Sequence, residues 1–352
     1  MKSSQSPPIM GASHIDIDPG EFALNETTAP AQTHHPEITV IIPTCNRKEI
    51  LRIALEAYQQ QTANLSDFDI IVVDDGSEDS TRKDIAHWIH NYPFKVTFLM
   101  QPPRGPASAR NRAIRQAQGK LILITGDDII PHPNLIQTHL NAHQTHTNSN
   151  VAVLGYVDWH PDLEVTDFMT YITKIDGHQF AYHHITDPED VPFGYFYTSN
   201  ISLKTPFLKQ EQLFSESFRY AACEDVELGF RLKKKGMRLI YRSEAIGYHL
   251  HPMDLESFSE RQFKVGQMMA LLLHLHPDIF DIPNPPPPET TLEKITAMKC
   301  SLDDLETRLV KKSELSKRER EQIRQLRFQM YREIIYGYQA LGLYEERRMR
   351  GI

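Results

Sequence analysis

Cysteine is scarce in this 352-residue chain: Cys45, Cys223 and Cys300 lie far apart, with no close-spaced pair. That excludes a disulfide framework and a zinc knuckle and fits a reducing cytoplasm. Long apolar runs are missing too. The stretch "MMALLLHLH" from Met268 falls well short of the roughly 20 residues that span a bilayer, so membrane contact is expected to be peripheral at most. The N-terminus "MKSSQSPPIMGASHIDIDPG" has no basic start followed by an apolar run, and so does not read as a secretory signal. Basic charge is in deficit: the formal net charge is −8 and the pI about 6.1. This argues against nucleic acid as a partner and is compatible with acidic sites that capture metal ions. No internal repeat is present. What the chain does have is 40% hydrophobic residues, enough for one large core with appendages or for two smaller domains.

Residues 1–36 are rich in Pro, Ser, Thr and His and read as a flexible arm. From Ile38 the pattern becomes strand, turn, helix, repeated. "ITVIIP" is a short apolar run, and "RKEILRIALEAYQQQT" follows with Ile50, Ile53, Ala54 and Ala57 on one expected helical face. "DIIVVDDGS" is a second strand and "STRKDIAHWIHNY" a second helix. "KVTFLMQ" leads into "GPASARNRAIRQAQG", a helix with Gly at its end, and "KLILIT" is the next strand. Continuous apolar strands alternating with amphipathic helices imply an α/β fold: a Rossmann-like, mostly parallel central sheet with helices on both faces and right-handed crossovers. Residues 37–150 form this first half. Residues 151–280 look mixed: "VAVLGYVDW" is a strand, "FGYFYTSNISLKT" a strand or hairpin, and "CEDVELGFRLKKKG" a helix followed by "MRLIYRS". Residues 281–291, with "IPNPPPPET", are expected to form a polyproline spacer. Residues 292–352 read as a charged C-terminal helical appendage with Ile323, Leu326, Met330 and Ile334 at helical spacing, and its mixed charge favours protein contacts or oligomers over lipid.

Five features carry candidate chemistry. Asp74 and Asp75 follow a buried strand, where open parallel sheets bind ligands, although an Asp-Gly turn with Ser77 or Asp79 capping the next helix explains them equally well. A phospho-receiver would place such a pair after its first strand. Asp127 and Asp128 lie at another strand end. Adjacent carboxylates repel and raise one another's pKa unless a cation offsets them, and hard oxygen ligands suit Mg²⁺ or Mn²⁺ completed by phosphate oxygens; a Gly-Asp turn is the competing explanation. Glu224 and Asp225 open a helix that Lys233 to Lys235 close, the polarity a helix dipole favours anywhere. His249 and His251 alternate along an extended segment, which points them to opposite sides. His139, His143 and His146 share one helical face, read as solvated.

The order of these signals resembles the family 2 glycosyltransferases of the GT-A fold. The resemblance rests on "IIPTCNR", "VVDDGSEDST", "GPASARNRAI", the Asp-Asp strand end and "CEDVELGFRL", and runs from about Ile38 to about His251. It implies a nucleotide site at Pro43, Thr44, Asp75 and Arg110, with Asp127 on the ribose. It further implies a divalent cation, Mn²⁺ or Mg²⁺, on Asp128 and His249. Asp225 becomes the catalytic base, Glu224 beside it helps to position the acceptor, and Asn200 lies near the sugar. The implied reaction is metal-assisted, inverting transfer from a nucleotide-sugar donor, UDP-linked by preference, to a glycan, lipid-linked or protein acceptor. Two departures stand out: Thr125 occupies the place of the first acid of the family's Asp-x-Asp motif, and "EQLFSESFRY" lacks the usual Gly-Gly. A sugar nucleotidyltransferase would carry a Gly-rich loop where this chain has "PTCNRKEI". A scaffold that only binds would not need the Glu-Asp pair.

Overall fold

A computed structural model describes residues 26–27, 35–282, 284–310 and 315–351. The strands are β1 (Glu26–Thr27), β2 (Ile38–Thr44), β3 (Phe68–Asp75), β4 (Lys95–Gln101), β5 (Leu121–Thr125), β6 (Ile129–Pro131), β7 (Val151–Trp159), β8 (Asn200–Lys204) and β9 (Arg238–His249). The α-helices are α1 (Lys48–Tyr58), α2 (Thr81–Trp88), α3 (Pro106–Gln116), α4 (Leu135–Thr145), α5 (Asp167–Thr170), α6 (Thr205–Lys209), α7 (Glu224–Lys234), α8 (Leu255–Leu275), α9 (Pro288–Val310) and α10 (Lys317–Arg350).

All nine strands join one sheet in the order β1-β4-β3-β2-β5-β8-β7-β9-β6. The run β4-β3-β2-β5 is parallel, with Ile38 opposite both Phe68 and Leu121. Alternate residues of these strands enter two different cores, as covering on both faces demands. Val40, Ile42, Ile70 and Val72 pack with Leu51, Leu55 and Tyr58 of α1, while Ile41, Ile71, Ile122 and Ile124 pack with Ala113 and Ile114 of α3. Because these strands run the same way, Thr44, Asp75 and Thr125 all finish at one edge, where the connecting loops gather. The second half is mixed: β8 is antiparallel to β5 and β7, and β7 is parallel to β9. "FGYFYTSNISLKT" supplies only one strand, with a single helical turn at Phe193–Tyr195 before it.

Several local expectations are corrected. On α1 the buried face is Leu51, Ala54, Leu55 and Tyr58, and Ile53 is 37% exposed. The larger set at i, i+4 and i+7 wins the core over the smaller Ile-Ala face. Gly119 does not terminate α3; a Cβ there would lie 2.5 Å from the Thr39 nitrogen, so the position serves a close backbone approach. His139 and His143 are buried rather than solvated, because β8 runs beneath α4. The Ser202 hydroxyl lies 2.8 Å from His139 Nδ1 and 2.9 Å from His143 Nε2, and burial pushes the two imidazoles down to about 4 and about 3. Of the arm, Glu26–Thr27 pairs antiparallel with β4; residues 1–25 and 28–34 lie outside the described residues. The Pro-rich spacer is shorter than expected, since Pro288 opens α9, and a first-turn proline costs no helical hydrogen bond.

The C-terminal helices are docked on the main body. Phe328, Tyr331 and Ile335 of α10 pack with Trp159, Phe168, Tyr171 and Phe258, whereas Leu326 of the expected stripe is 49% exposed. At the α8–α10 crossing the backbones touch: a Cβ on Gly342 would sit 1.9 Å from the Phe263 carbonyl oxygen, and one on Gly266 1.9 Å from that of Gln339. Intrinsic propensity makes Gly→Ala favourable inside a helix by up to about 1 kcal/mol. Here Gly342→Ala is expected to destabilise by at least about 2 kcal/mol, because neither backbone can yield without parting the helices. Denaturant unfolding reads the sign; a midpoint at or above that of the parent protein would refute the close crossing.

Candidate active site

The loops at the carboxyl edge are tied together by short polar side chains. Asn46, just past β2, has a left-handed backbone (φ 54°). Its side-chain oxygen accepts the amides of Glu78 (2.8 Å) and Asp79 (3.3 Å), and its own amide donates to Ser77 Oγ at 2.8 Å. Asp74 accepts the Ser77 amide at 3.1 Å and the Ser77 hydroxyl. Asp75 accepts Gln101 Nε2 and the amides of Arg104 and Gly105, at 2.8, 2.9 and 2.8 Å, and so shapes the entry to α3. Pro43, partly exposed, and buried Thr44 close the end of β2.

The paired acids after β5 meet a cation from the chain itself. Arg47 Nη1 donates to Asp128 Oδ2 at 2.6 Å and to Asp127 Oδ1 at 3.3 Å, and Thr44 Oγ1 donates to Asp127 Oδ2 at 2.8 Å. Burial, then the neighbouring Asp128, pushes Asp127 up to about 7. Burial alone would raise Asp128 as well, but His249 and Arg47 outweigh it and hold that carboxyl below the usual range. His249 Nε2 is 3.5 Å from Asp128 Oδ2; its ring lies between Trp159 (centroids 5.3 Å) and Phe180 (6.0 Å), and its Nδ1 is buried without a partner. His251 is not on the opposite side, because β9 stops at His249 and Leu250 turns to donate to the Asp128 carbonyl. The two rings end 6.0 Å apart. Thr125 takes no part: its hydroxyl donates to the Ser199 carbonyl at 2.9 Å.

The third wall is the start of α7. Cys223, at φ 65°, turns the chain into Glu224 and Asp225. Glu224 is buried and accepts Arg110 Nη1 at 2.6 Å, and the Arg110 guanidinium packs over Phe214. Arg110 is thus committed beneath the site, where it neutralises Glu224. Asp225 is partly exposed, and among the described residues its carboxylate accepts a hydrogen bond only from the Val226 amide, at 2.8 Å. Burial, then Glu224, pushes it up to about 7. Facing it from α8 is Arg261, whose Nη1 donates to Gln179 Oε1 at 2.8 Å. Burial lowers its pKa against the opposing fields of Asp225, Glu224 and Asp128, and among the described residues its guanidinium forms no carboxylate ion pair. Asn200 stands apart from this wall. It is fully buried, with its oxygen on His139 (2.9 Å) and its amide hydrogens on the carbonyls of Tyr156 and Ala245.

Two charged side chains that border this candidate site, Arg47 and Arg261, are not singled out by the sequence. Arg47 lay inside the quoted "IIPTCNR", and the unsatisfied acid pair was the signal for it; nothing local marks Arg261.

Among the described residues no group of three or more His, Cys, Asp or Glu is arranged to hold a metal ion, and no helix is long and apolar enough to cross a membrane. The family model for glycosyl transferase family 2 matches residues 39–199. A validoxylamine A glucosyltransferase from Streptomyces hygroscopicus subsp. jinggangensis is 27% identical over 62% of this chain and 56% of its own length. The chondroitin synthase of Escherichia coli is 25% identical over 64% of this chain and 36% of its own. The chain therefore spans little more than half of the first of these relatives and about a third of the second. A mannosyltransferase from Pyrobaculum calidifontis, solved with GDP-Man and Mn²⁺, superposes with a TM-score of 0.58 at 19% identity, covering 90% of both chains. Residues 39–199 are thus similar to the family 2 glycosyltransferases, and the chain shares the GT-A fold of the mannosyltransferase.

Proposed function

We propose that this chain transfers a sugar from a nucleotide-diphospho-sugar, UDP-linked by preference, to an acceptor hydroxyl by a single inverting displacement. The observation that carries the reading is the convergence on one sheet edge of the Asp75 loop, the Asp127–Asp128 pair and the half-open Asp225. The relatives' descriptions as a glucosyltransferase and a synthase support it. In this reading Pro43, Thr44 and Asp75 frame the base, and Asp127 takes the ribose. Asp225 removes the acceptor proton as the hydroxyl oxygen bonds to the sugar's anomeric carbon and the bond to the diphosphate breaks on the opposite face. Burial, with Glu224 as the second cause, keeps the Asp225 carboxyl high enough to act as a base near neutral pH. Arg261 offers an unpaired cation to the departing diphosphate.

Asp127, Asp128 and His249 offer the oxygen and imidazole donors that suit Mn²⁺ or Mg²⁺. Arg47, set between the two acids, marks the place such an ion would take, with His249 Nε2 3.5 Å from Asp128 Oδ2; the three side chains would have to close on the ion, since they are not arranged to hold one here. Bound there, a divalent cation would stabilise charge on the diphosphate. Asn200, with its amide committed inside the sheet, has a structural place rather than a sugar contact.

A screen of nucleotide sugars for binding and hydrolysis, with and without Mn²⁺ or Mg²⁺, tests the reading. Saturable binding of at least one is expected; if none binds under any metal condition, the chain is not a glycosyltransferase.

A further inference from the structure

Three non-glycine residues among those described have left-handed backbones: Asn46, Phe180 and Cys223. Such a conformation is uncommon for any side chain and a clear outlier for a bulky one, at a cost of order 1–3 kcal/mol. Two of the three have been met already: Asn46 braces the loops beside Arg47, and Cys223 aims Glu224 and Asp225. The third, Phe180, has no part in the machinery described so far, yet it also borders the site. Its ring meets His249 nearly edge to face (6.0 Å, 88°) and Tyr197 at 5.9 Å, and Tyr197 lies within the field of Asp225.

The strain at Phe180 is held in place by the two residues before it. The Gln179 amide donates to the Ile172 carbonyl, Gln179 Oε1 accepts from Arg261, and His178 packs against Tyr336 of α10 at 4.7 Å. Behind Phe180 an aromatic row continues: Phe180 stacks on Tyr182 (6.0 Å, 22°), with Tyr156 and Tyr197 set edge-on to Tyr182. Tyr182 is buried and forms the backing, while Phe180, Tyr156 and Tyr197 remain partly exposed. A polar rim completes the row. Lys174 Nζ reaches the Tyr156 hydroxyl at 2.6 Å and Asp158 Oδ1 at 3.1 Å, and the Tyr156 hydroxyl donates to Asp158 Oδ2 at 2.8 Å.

Flat aromatic faces beside a charged, hydrogen-bonding rim suit a ligand with an apolar face and a hydroxylated edge, which is the chemistry of a sugar or cyclitol ring. An acyl chain would cover the Lys174–Asp158–Tyr156 rim with apolar atoms and cut the ion pair off from water without offering it a hydrogen bond. We infer that Phe180, with Tyr156 and Tyr197, is the acceptor platform, and that the acceptor presents a carbohydrate ring. The ring stacked on Phe180 would bring a hydroxyl toward Asp225 while His249 stays on the donor side. This rests on the glycosyl-transfer reading and narrows it.

The experiment pairs Phe180→Gly, which relieves the backbone while removing the ring, with Phe180→Leu, which keeps bulk without a flat face, and Phe180→Tyr, which keeps both. Methyl glucoside, cellobiose, chitobiose and myo-inositol are the acceptor probes; a serine-containing peptide and dolichyl phosphate are the controls. Donor hydrolysis by water is the acceptor-independent readout. At least one carbohydrate probe is expected to show saturation transfer in the presence of nucleoside diphosphate. Its acceptor KM should rise about tenfold in Phe180→Gly and Phe180→Leu and stay near the parent value in Phe180→Tyr, while donor KM and hydrolysis change by much less than acceptor KM does. The inference is overturned if no carbohydrate probe binds, if peptide or dolichyl phosphate is the probe that binds, if acceptor KM stays within twofold in all variants, or if donor hydrolysis falls in step with transfer. Absence of donor binding in the parent protein would instead sink the broader reading.

Discussion

Asp225→Asn is expected to lower sugar transfer by at least about 10²-fold, the low end of what a general base contributes, while nucleotide-sugar affinity stays near the parent value. An acceptor hydroxyl is a poor nucleophile until its proton is taken in the transition state, and the amide cannot take it. Asp225 is suited to that work because burial and the nearby Glu224 raise it from 3.8 to about 7. A carboxyl with that pKa must be deprotonated to act, so parent transfer should climb as pH rises toward about 7 and then level off. The stability consequence runs the other way. Between about pH 4 and 7 the folded protein retains a proton that the unfolded chain has released, so the favourable contribution present at low pH is lost as pH rises through the folded value. The variant escapes that loss: its melting temperature should exceed the parent's at pH 8, and the gap should shrink toward pH 4. Parent-like turnover in Asp225→Asn would remove the residue from its role. A melting temperature below the parent's at pH 8 would show instead that the carboxylate is structurally satisfied.

Much of the first half of this fold was legible because its signals are local. The strands that end at Thr44, Asp75 and Thr125 are continuous apolar runs closed by turn residues, and a parallel sheet puts such ends on one edge. Position along those strands sufficed to nominate Asp75, Asp127 and Asp128. What escaped depends on partners that sequence does not name. His139 and His143 read as solvated because nothing local shows that Ser202 and Asn200 will lie beneath them. Strand alternation puts His251 on the far side, a rule that lapses once β9 stops at His249. Arg110 sits in a motif associated with nucleotide contact, and nothing local shows that its Nη1 will also meet Glu224, far along the chain. The α8–α10 crossing was invisible for the same reason: Gly266 and Gly342 each look like a weak point in a helix until the other is known.

Arg47→Ala is expected to destabilise the metal-free protein and to make its stability depend on a divalent cation. Arg47 holds both Asp128 (2.6 Å) and Asp127 (3.3 Å), and its removal leaves two largely buried carboxylates with only His249 and Thr44 against them. Breaking a buried pair costs about 3–5 kcal/mol; with the arginine side chain 37% exposed, a loss of roughly 1–3 kcal/mol is the discounted expectation. If Arg47 occupies the place that Mn²⁺ would take between the same acids, the two compete. Mn²⁺ should then raise the melting temperature of Arg47→Ala more than that of the parent, whose acids already have a partner. Asp128→Ala is the complementary variant, in which the metal dependence of nucleotide-sugar affinity should vanish while metal-free affinity persists. Thermal scans in EDTA and in Mn²⁺, with nucleotide-sugar titrations under the same conditions, separate the outcomes. An equal Mn²⁺ shift in parent and Arg47→Ala, or an unchanged metal dependence in Asp128→Ala, would place the cation elsewhere and leave Arg47 as the permanent counter-charge of the pair.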